Sequence, residues 1–292
     1  MPIHYKQLEF CMKQLATITV IGRDKTGVIA RVTNVLFEQG ANIEALEEQV
    51  TRGQFSMVIQ ASWKAARWVP REVERALEKA GRELGMEIRL RPSAPKGAQR
   101  FAILVTKEPH CLEALLREIK AGRIQAKPAL ILGNRPALKA IATAHGIPFK
   151  LVPWEDRAKA EAAALRILEA EGVDFLVLAR FMKILSPNFV WRFKNKIINI
   201  HPSLLPSFPG PQAYRQAYER GVKIAGVTAH FVTMQLDEGP IIAQGSFPVR
   251  PNMGLPEIMA AGQKLEAKVL IRAVRLYLQK RLDVYWGVVK EV

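Results

Sequence analysis

IINIHPSLLPSFPG, residues 197–210, and LDEGPI, residues 236–241, are the stretches on which the reading of this chain turns. The first opens with an apolar, β-branched run that favours a strand. Prolines at Pro202 and Pro206 cannot continue a strand, so the chain must leave the sheet there in a shaped loop. Asn199 and His201 are two residues apart and therefore share one face of the strand. Asp237 stands on the second loop. An amide, an imidazole and a carboxylate together suit carbonyl chemistry: one polarises the oxygen, one moves a proton, one orients the imidazole.

Outward from this stretch the pattern alternates. Apolar runs at 101–105, 129–132, 149–152 and 175–178 read as strands, and segments 112–120, 136–145, 156–171 and 187–193 carry helical spacing. Such alternation predicts an α/β, doubly wound, mostly parallel sheet of Rossmann-like type, whose sites lie at the carboxyl ends of strands. Residues 226–232 and 241–248 read as a hairpin-like pair framing Asp237, and 257–279 as a long closing helix.

RPSAPKGAQ, residues 91–99, has two prolines, a glycine and no apolar period, which marks a linker. The expected organisation is a first domain over 1–92, a linker over 93–99 and a catalytic domain over 100–292. Before the linker come a strand at 16–21, the loop GRDKTG, a helix with apolar Val28, Ile29, Val32, Val35 and Leu36 that stops at Gly40, strands at 43–51 and 54–62, a helix at 71–84 and a strand at 86–90. The order βαββαβ makes a ferredoxin-like sandwich.

The composition is that of an ordinary globular protein, 49% hydrophobic over 292 residues. The longest apolar segment, 175–185, is interrupted by Arg180 and Lys183, so no membrane span is expected, and MPIHYKQLEF lacks the apolar region of a signal peptide. Cytoplasmic residence is the expectation. Cys11 and Cys111 stand in no metal-ligand spacing, so neither a disulfide framework nor a metal site is predicted. The net charge of +16 is spread along the chain without a run of five basic residues or aromatic interleaving, which argues against a nucleic-acid partner and suits an anionic small molecule. His145 and His230 fall in or beside regular elements and read as structural.

IINIHPSLLP with DEGPI resembles the folate-dependent formyltransferase family, which includes glycinamide ribonucleotide formyltransferases, methionyl-tRNA formyltransferases and formyltetrahydrofolate deformylases. The resemblance implies that Asn199, His201 and Asp237 are catalytic. It also implies that FMKILS, residues 181–186, holds the pteridine through Met182, Lys183, Ile184 and Leu185, with Val232 and Thr233 on the opposite wall. TVIGRDKTGVIARVTNVLFEQGANI, residues 19–43, is similar to an ACT domain, a regulatory module that commonly binds amino acids at a dimer interface; Asp24, Gly27 and Asn42 are the implied effector residues, and a homo-oligomer, dimer or tetramer, is implied with them.

Where the ribonucleotide enzymes have a glycine-containing phosphate loop, this chain has TKEPHCLEALL, residues 106–116, which serves a phosphate poorly. With the ACT-like segment before it and no appended tRNA-binding domain after it, the chain is similar to the deformylases. These hydrolyse 10-formyltetrahydrofolate, a substrate rather than a resident cofactor, and supply formate to one-carbon and purine metabolism. No cofactor is implied. His110 is expected on the acceptor side. The chain departs from the deformylase pattern at Gly133-Asn134-Arg135, where Ser-Asn-His is usual, and at Pro251 and Met253 in a Val-x-His-x-Asp position. These departures bear on how the acceptor water is held, and they keep transfer to an unidentified amine as the alternative.

Overall fold

The computed structural model describes residues 13–95, 97–285 and 287–291. The chain divides into two compact units, Met1–Ala94 and Pro95–Val292; Cys11 lies outside the described residues.

In the first unit, β1 (Lys13–Arg23), α1 (Val28–Glu38), β2 (Asn42–Thr51), β3 (Gln54–Lys64), α2 (Pro70–Leu84) and β4 (Met86–Pro92) follow the expected βαββαβ order. The sheet order β2-β3-β1-β4 is antiparallel throughout and ferredoxin-like. Ile18, Val20, Met57 and Ile59 meet Val32 and Leu36 of α1 and Val73 and Leu77 of α2 in one core. Gly40 ends the first helix at φ 70°, a left-handed position that costs glycine nothing.

The second unit carries a seven-stranded sheet of order β11-β10-β9-β8-β5-β6-β7. Its strands are β5 (Arg100–Val105), β6 (Lys127–Gly133), β7 (Phe149–Leu151), β8 (Phe175–Ala179), β9 (Ile197–His201), β10 (Ile224–Phe231) and β11 (Ile241–Pro248). The five from β7 to β9 are parallel; β10 and β11 are antiparallel additions. Alternation along the buried strands splits them between two layers. Ile103, Val105 and Val177 face Leu112 and Leu115 of α3 (His110–Lys120) and Leu270 and Val274 of the long helix Leu255–Leu278. Ala102, Leu104, Leu176 and Leu178 face Ala164 and Leu168 of Arg157–Ala170, and Phe189 of Pro187–Arg192.

Four local features were not predicted, the first a 3-10 turn over Ala65–Arg67. Segment 136–145 starts as a 3-10 turn, Pro136–Leu138, before its α-helical part Lys139–Ala144. Ala213–Glu219 forms a short helix, and Leu282–Tyr285 pairs with Val288–Glu291 in a hairpin. Among the described residues no helix is long and apolar enough to cross a membrane.

Candidate active site

Strand order reverses between β5 and β8: from β5 the chain moves to β6 and β7 on one side, and later to β8 and β9 on the other. Loops leaving the carboxyl ends of such strands diverge and open a crevice. A cavity of about 630 Å³ lies there. Asn199 and His201, at the end of β9, both border it, as do Asp237 and His230.

Antiparallel pairing brings β10 against β9 in the register Thr228↔His201 and His230↔Asn199. Thr228 anchors the proline loop: its Oγ1 donates to the Ser203 carbonyl at 2.8 Å and accepts from the Leu205 amide at 3.0 Å and from Gln244 Nε2 at 2.9 Å. Asp237 has left-handed backbone, φ 58°. One of its oxygens, Oδ2, accepts the Gly210 amide at 2.9 Å and lies 3.3 Å from His201 Nδ1; Oδ1 lies 3.8 Å from His230 Nε2. Gly239 in the same loop is required by close approach, because a Cβ there would fall 1.7 Å from the Phe231 carbonyl oxygen.

His201 Nε2 is 3.0 Å from the Phe208 carbonyl, and its Nδ1 faces the Asp237 carboxylate. Both neighbours are acceptors. Burial pushes the His230 pKa below its ordinary value, with bonding to Phe231 and the Asp237 charge opposing and the His201 charge assisting. A neutral His230 that donates from Nδ1 to the Phe231 carbonyl at 2.9 Å has a bare Nε2, which accepts from Asn199 Nδ2 at 3.2 Å. The Asn199 amide nitrogen is thereby held toward His230, with its second N–H left for another acceptor. His230, expected from its sequence position to be structural, also borders the cavity and contacts Asn199.

The segment Phe181–Ser186 forms another wall of the cavity. The Met182 amide donates to Thr106 Oγ1 at 2.9 Å, the Ser186 amide donates to Glu161 Oε1 at 2.7 Å, and the Ser186 hydroxyl donates to the other oxygen of that carboxylate. Pinned at both ends, the segment presents Met182 and Ile184, 52% and 59% exposed, with Lys183 between them, while Leu185 at 7% belongs equally to the core. Val232 and Thr233 also border the cavity.

Other predicted residues lie elsewhere. His110 does not border the cavity; its Nε2 is 2.9 Å from Oε2 of the buried Glu266. His145 donates from Nδ1 to the Ile141 carbonyl on its own helix. Asn42 is not brought to Asp24 and Gly27 within one chain. The register sets Asn42 in the row of Ser62 and Leu15, at the start of β1, whereas Asp24 follows its end. Nine strand residues, roughly 30 Å at ~3.3 Å each, separate the two rows. Among the described residues, His110, Cys111 and Glu266 place possible ligand atoms within 4.8 Å of one another. That group fits a cation poorly: Arg180 already lies 3.4 Å from the carboxylate, and burial, with the Glu266 charge, pushes the Cys111 thiol far above its ordinary range.

Comparison with known proteins agrees with this geometry. Residues 99–274 match the formyl transferase family and residues 14–91 the ACT domain family. The chain is 39% identical over 279 residues to the formyltetrahydrofolate deformylase of Escherichia coli K12, covering 93% of this chain and 96% of that protein. It is 36% identical over 267 residues to the enzyme of the same name from Bacillus subtilis 168, covering 90% and 88%. The crystal structure of a formyltetrahydrofolate deformylase from Pseudomonas syringae superposes with a TM-score of 0.66 at 30% identity, covering 99% of this chain and 97% of that one. Glycinamide ribonucleotide transformylase 1 from Symbiobacterium toebii superposes with a TM-score of 0.64 at 33% identity, over 68% of this chain and 96% of that one.

Proposed function

Because the chain belongs to the formyltetrahydrofolate deformylase family, we propose that Asn199, His201 and Asp237 carry out its reaction, the hydrolysis of 10-formyltetrahydrofolate to formate and tetrahydrofolate. The observation that carries this reading is the chain of contacts His230–Asn199 and Asp237–His201 around one cavity.

Water adds to the formyl carbon, and negative charge develops on the formyl oxygen. The second N–H of Asn199 is a donor for that oxyanion, worth about 3–4 kcal/mol in comparable sites, and the Nε2 N–H of His201 is a second once the Phe208 carbonyl releases it. Asp237 holds His201 through Oδ2, and its Oδ1 is the oxygen that takes the proton of the attacking water. On collapse the C–N10 bond breaks, its electron pair returns to N10, and a proton delivered to N10 completes tetrahydrofolate. Met182, Lys183 and Ile184 receive the pteridine, with Val232 and Thr233 opposite. Lys107, Lys183 and Arg215 on the cavity rim suit the carboxylates of a folate tail. The ACT domain supports binding of a small-molecule effector, an amino acid in our reading. Asp24 and Gly27 of one chain and Asn42 of a second would form that site in a homo-oligomer.

The test is incubation of the protein with 10-formyltetrahydrofolate and no other acceptor, with formate and tetrahydrofolate measured separately. Equal amounts of both are expected. Consumption of the folate only after amines are added would replace hydrolysis by transfer.

A further inference from the structure

Glu266, a carboxylate the mechanism does not use, lies behind one wall of the cavity. It is completely buried on the long helix Leu255–Leu278, and side chains from three other segments converge on it. Tyr214 Oη donates to Oε1 at 2.7 Å, His110 Nε2 is 2.9 Å from Oε2, and Arg180 Nε is 3.4 Å from the same oxygen. Burial opposes its ionisation, yet the bonds from His110 and Tyr214 and the Arg180 charge outweigh it and hold the pKa below the usual carboxylate value. Gly262, one turn earlier on the same helix, makes room for this arrangement, because a Cβ there would come within 2.1 Å of the Tyr214 hydroxyl oxygen.

Met182 to Leu185, with Val232 and Thr233 opposite, form the folate part of the cavity. Glu108, Arg180 and Tyr214 border the cavity elsewhere, where a second substrate would have to sit. Tyr214 and Arg180 thus separate an ionised carboxylate from the reaction space. An ammonium or amine makes its strongest contacts with such a group through charge-assisted hydrogen bonds. To reach it here, an amine would have to displace the Tyr214 hydroxyl and leave buried polar groups unpaired.

We propose that Glu266 and Tyr214 determine acceptor choice: Tyr214 seals off a carboxylate that would otherwise hold a small cationic amine, so water alone takes the formyl group. The inference rests on the hydrolytic reading above. In the transfer that Tyr214 prevents, the ammonium first gives one proton to Asp237, the neutral amine nitrogen then attacks the formyl carbon, the C–N10 bond breaks with its electron pair returning to N10, and the second proton lost by the nitrogen ends on N10. Water otherwise takes the amine's place, and formate is the product.

The experiment gives the full-length protein 10-formyltetrahydrofolate with excess glycinamide as the probe amine and reads formate and N-formylglycinamide by mass spectrometry. Wild type should yield formate. Tyr214→Ala should raise the N-formyl share at least about tenfold, the scale on which pocket contacts discriminate substrates. Tyr214→Phe, which removes the hydroxyl and keeps the ring, should raise the share in the same direction but less than Tyr214→Ala, and adding Glu266→Gln to Tyr214→Ala should abolish the gain. Gly262→Ala, which pushes the hydroxyl off the carboxylate from the helix side, is a second route to the same gain should Tyr214→Ala fail to fold. A product ratio unmoved in the folded variants, or a gain that survives Glu266→Gln, overturns the proposal. N-formylglycinamide in place of formate from wild type would instead overturn the hydrolytic reading, in its own arm of the experiment.

Discussion

Replacing Asp237 by Asn removes chemistry while keeping position, because one carboxylate oxygen holds both of its close contacts. Oδ2 accepts the Gly210 amide at 2.9 Å and faces His201 Nδ1 at 3.3 Å. An amide oxygen can keep that place. The amide nitrogen then stands where Oδ1 was, 3.8 Å from His230 Nε2, and puts a donor where the attacking water needs an acceptor. When the ring carries a second proton during turnover, unit charges 3.3 Å apart attract by about 5 kcal/mol at an effective dielectric of ~20. The amide dipole retains part of this, which leaves a loss near the ~3–4 kcal/mol seen when a well-placed group is removed from comparable sites. At about 1.4 kcal/mol per factor of ten, kcat should fall roughly 10²- to 10³-fold, with the KM for folate within about threefold of wild type. Formate release under saturating 10-formyltetrahydrofolate measures the first quantity, and its concentration dependence the second. A variant that keeps more than about half of the wild-type kcat would refute the assignment of Asp237.

Asn199→Ala should lower kcat about a hundredfold with little change in KM, since it removes one oxyanion donor; a pure KM effect would make Asn199 a binding group. Ile184 is exposed on the pinned wall, so Ile184→Asp should raise the folate KM about tenfold without lowering the melting temperature; unchanged KM would place the pteridine elsewhere. The folded-state pKa of His230 is depressed, so its contribution to stability is fully present above its ordinary value of 6.5 and lost as pH falls through the lower folded value. Thermal melts should therefore drop below pH 6.5, and less steeply in His230→Gln; identical slopes would remove His230 as the cause. Arg135→His should change formate release by less than about twofold, as for surface substitutions away from special features. A tenfold change would show that this position reaches the chemistry.

Most of the fold was legible because its signals are local. Apolar runs such as 175–178 are long enough to be strands buried on both faces, and Asp156 sits at the N-cap of its helix, where its side chain accepts the Lys159 amide. The helix Ala213–Glu219 was not legible: it begins after a left-handed Gln212 with no side-chain cap, and only Ala213, Tyr214 and Ala217 are buried. His230 was missed for a different reason. Its role depends on the register Asn199↔His230 between β9 and β10, and register follows from pairing across the sheet and not from spacing along the chain. His110 was expected on the acceptor side, and its contact with Glu266 was not legible because Glu266 arrives from a helix 156 positions away. That Asn42 and Asp24 stand far apart in one chain was not legible either: both flank the same helix in sequence, and that helix carries the chain back to the opposite end of the sheet.

The departures from the deformylase pattern have a local physical account. A Cβ at Gly133 would lie 2.4 Å from Phe149 Cζ and 2.8 Å from the Arg135 carbonyl, so the glycine goes with the bulky ring on the neighbouring strand β7. A serine there would require the ring and the turn to move together. Arg135 is exposed, and Pro251 belongs to an exposed turn closed by the Met253 amide donating to the Arg250 carbonyl at 3.0 Å. None of these residues borders the cavity. The substitutions therefore alter packing beside β6 and a surface turn, while His201, Asp237, Asn199 and His230 keep one connected set of contacts. Acceptor choice then rests on the groups that do border the cavity, and among these the contact of Tyr214 with Glu266 is the one that closes an ionised carboxylate to an amine.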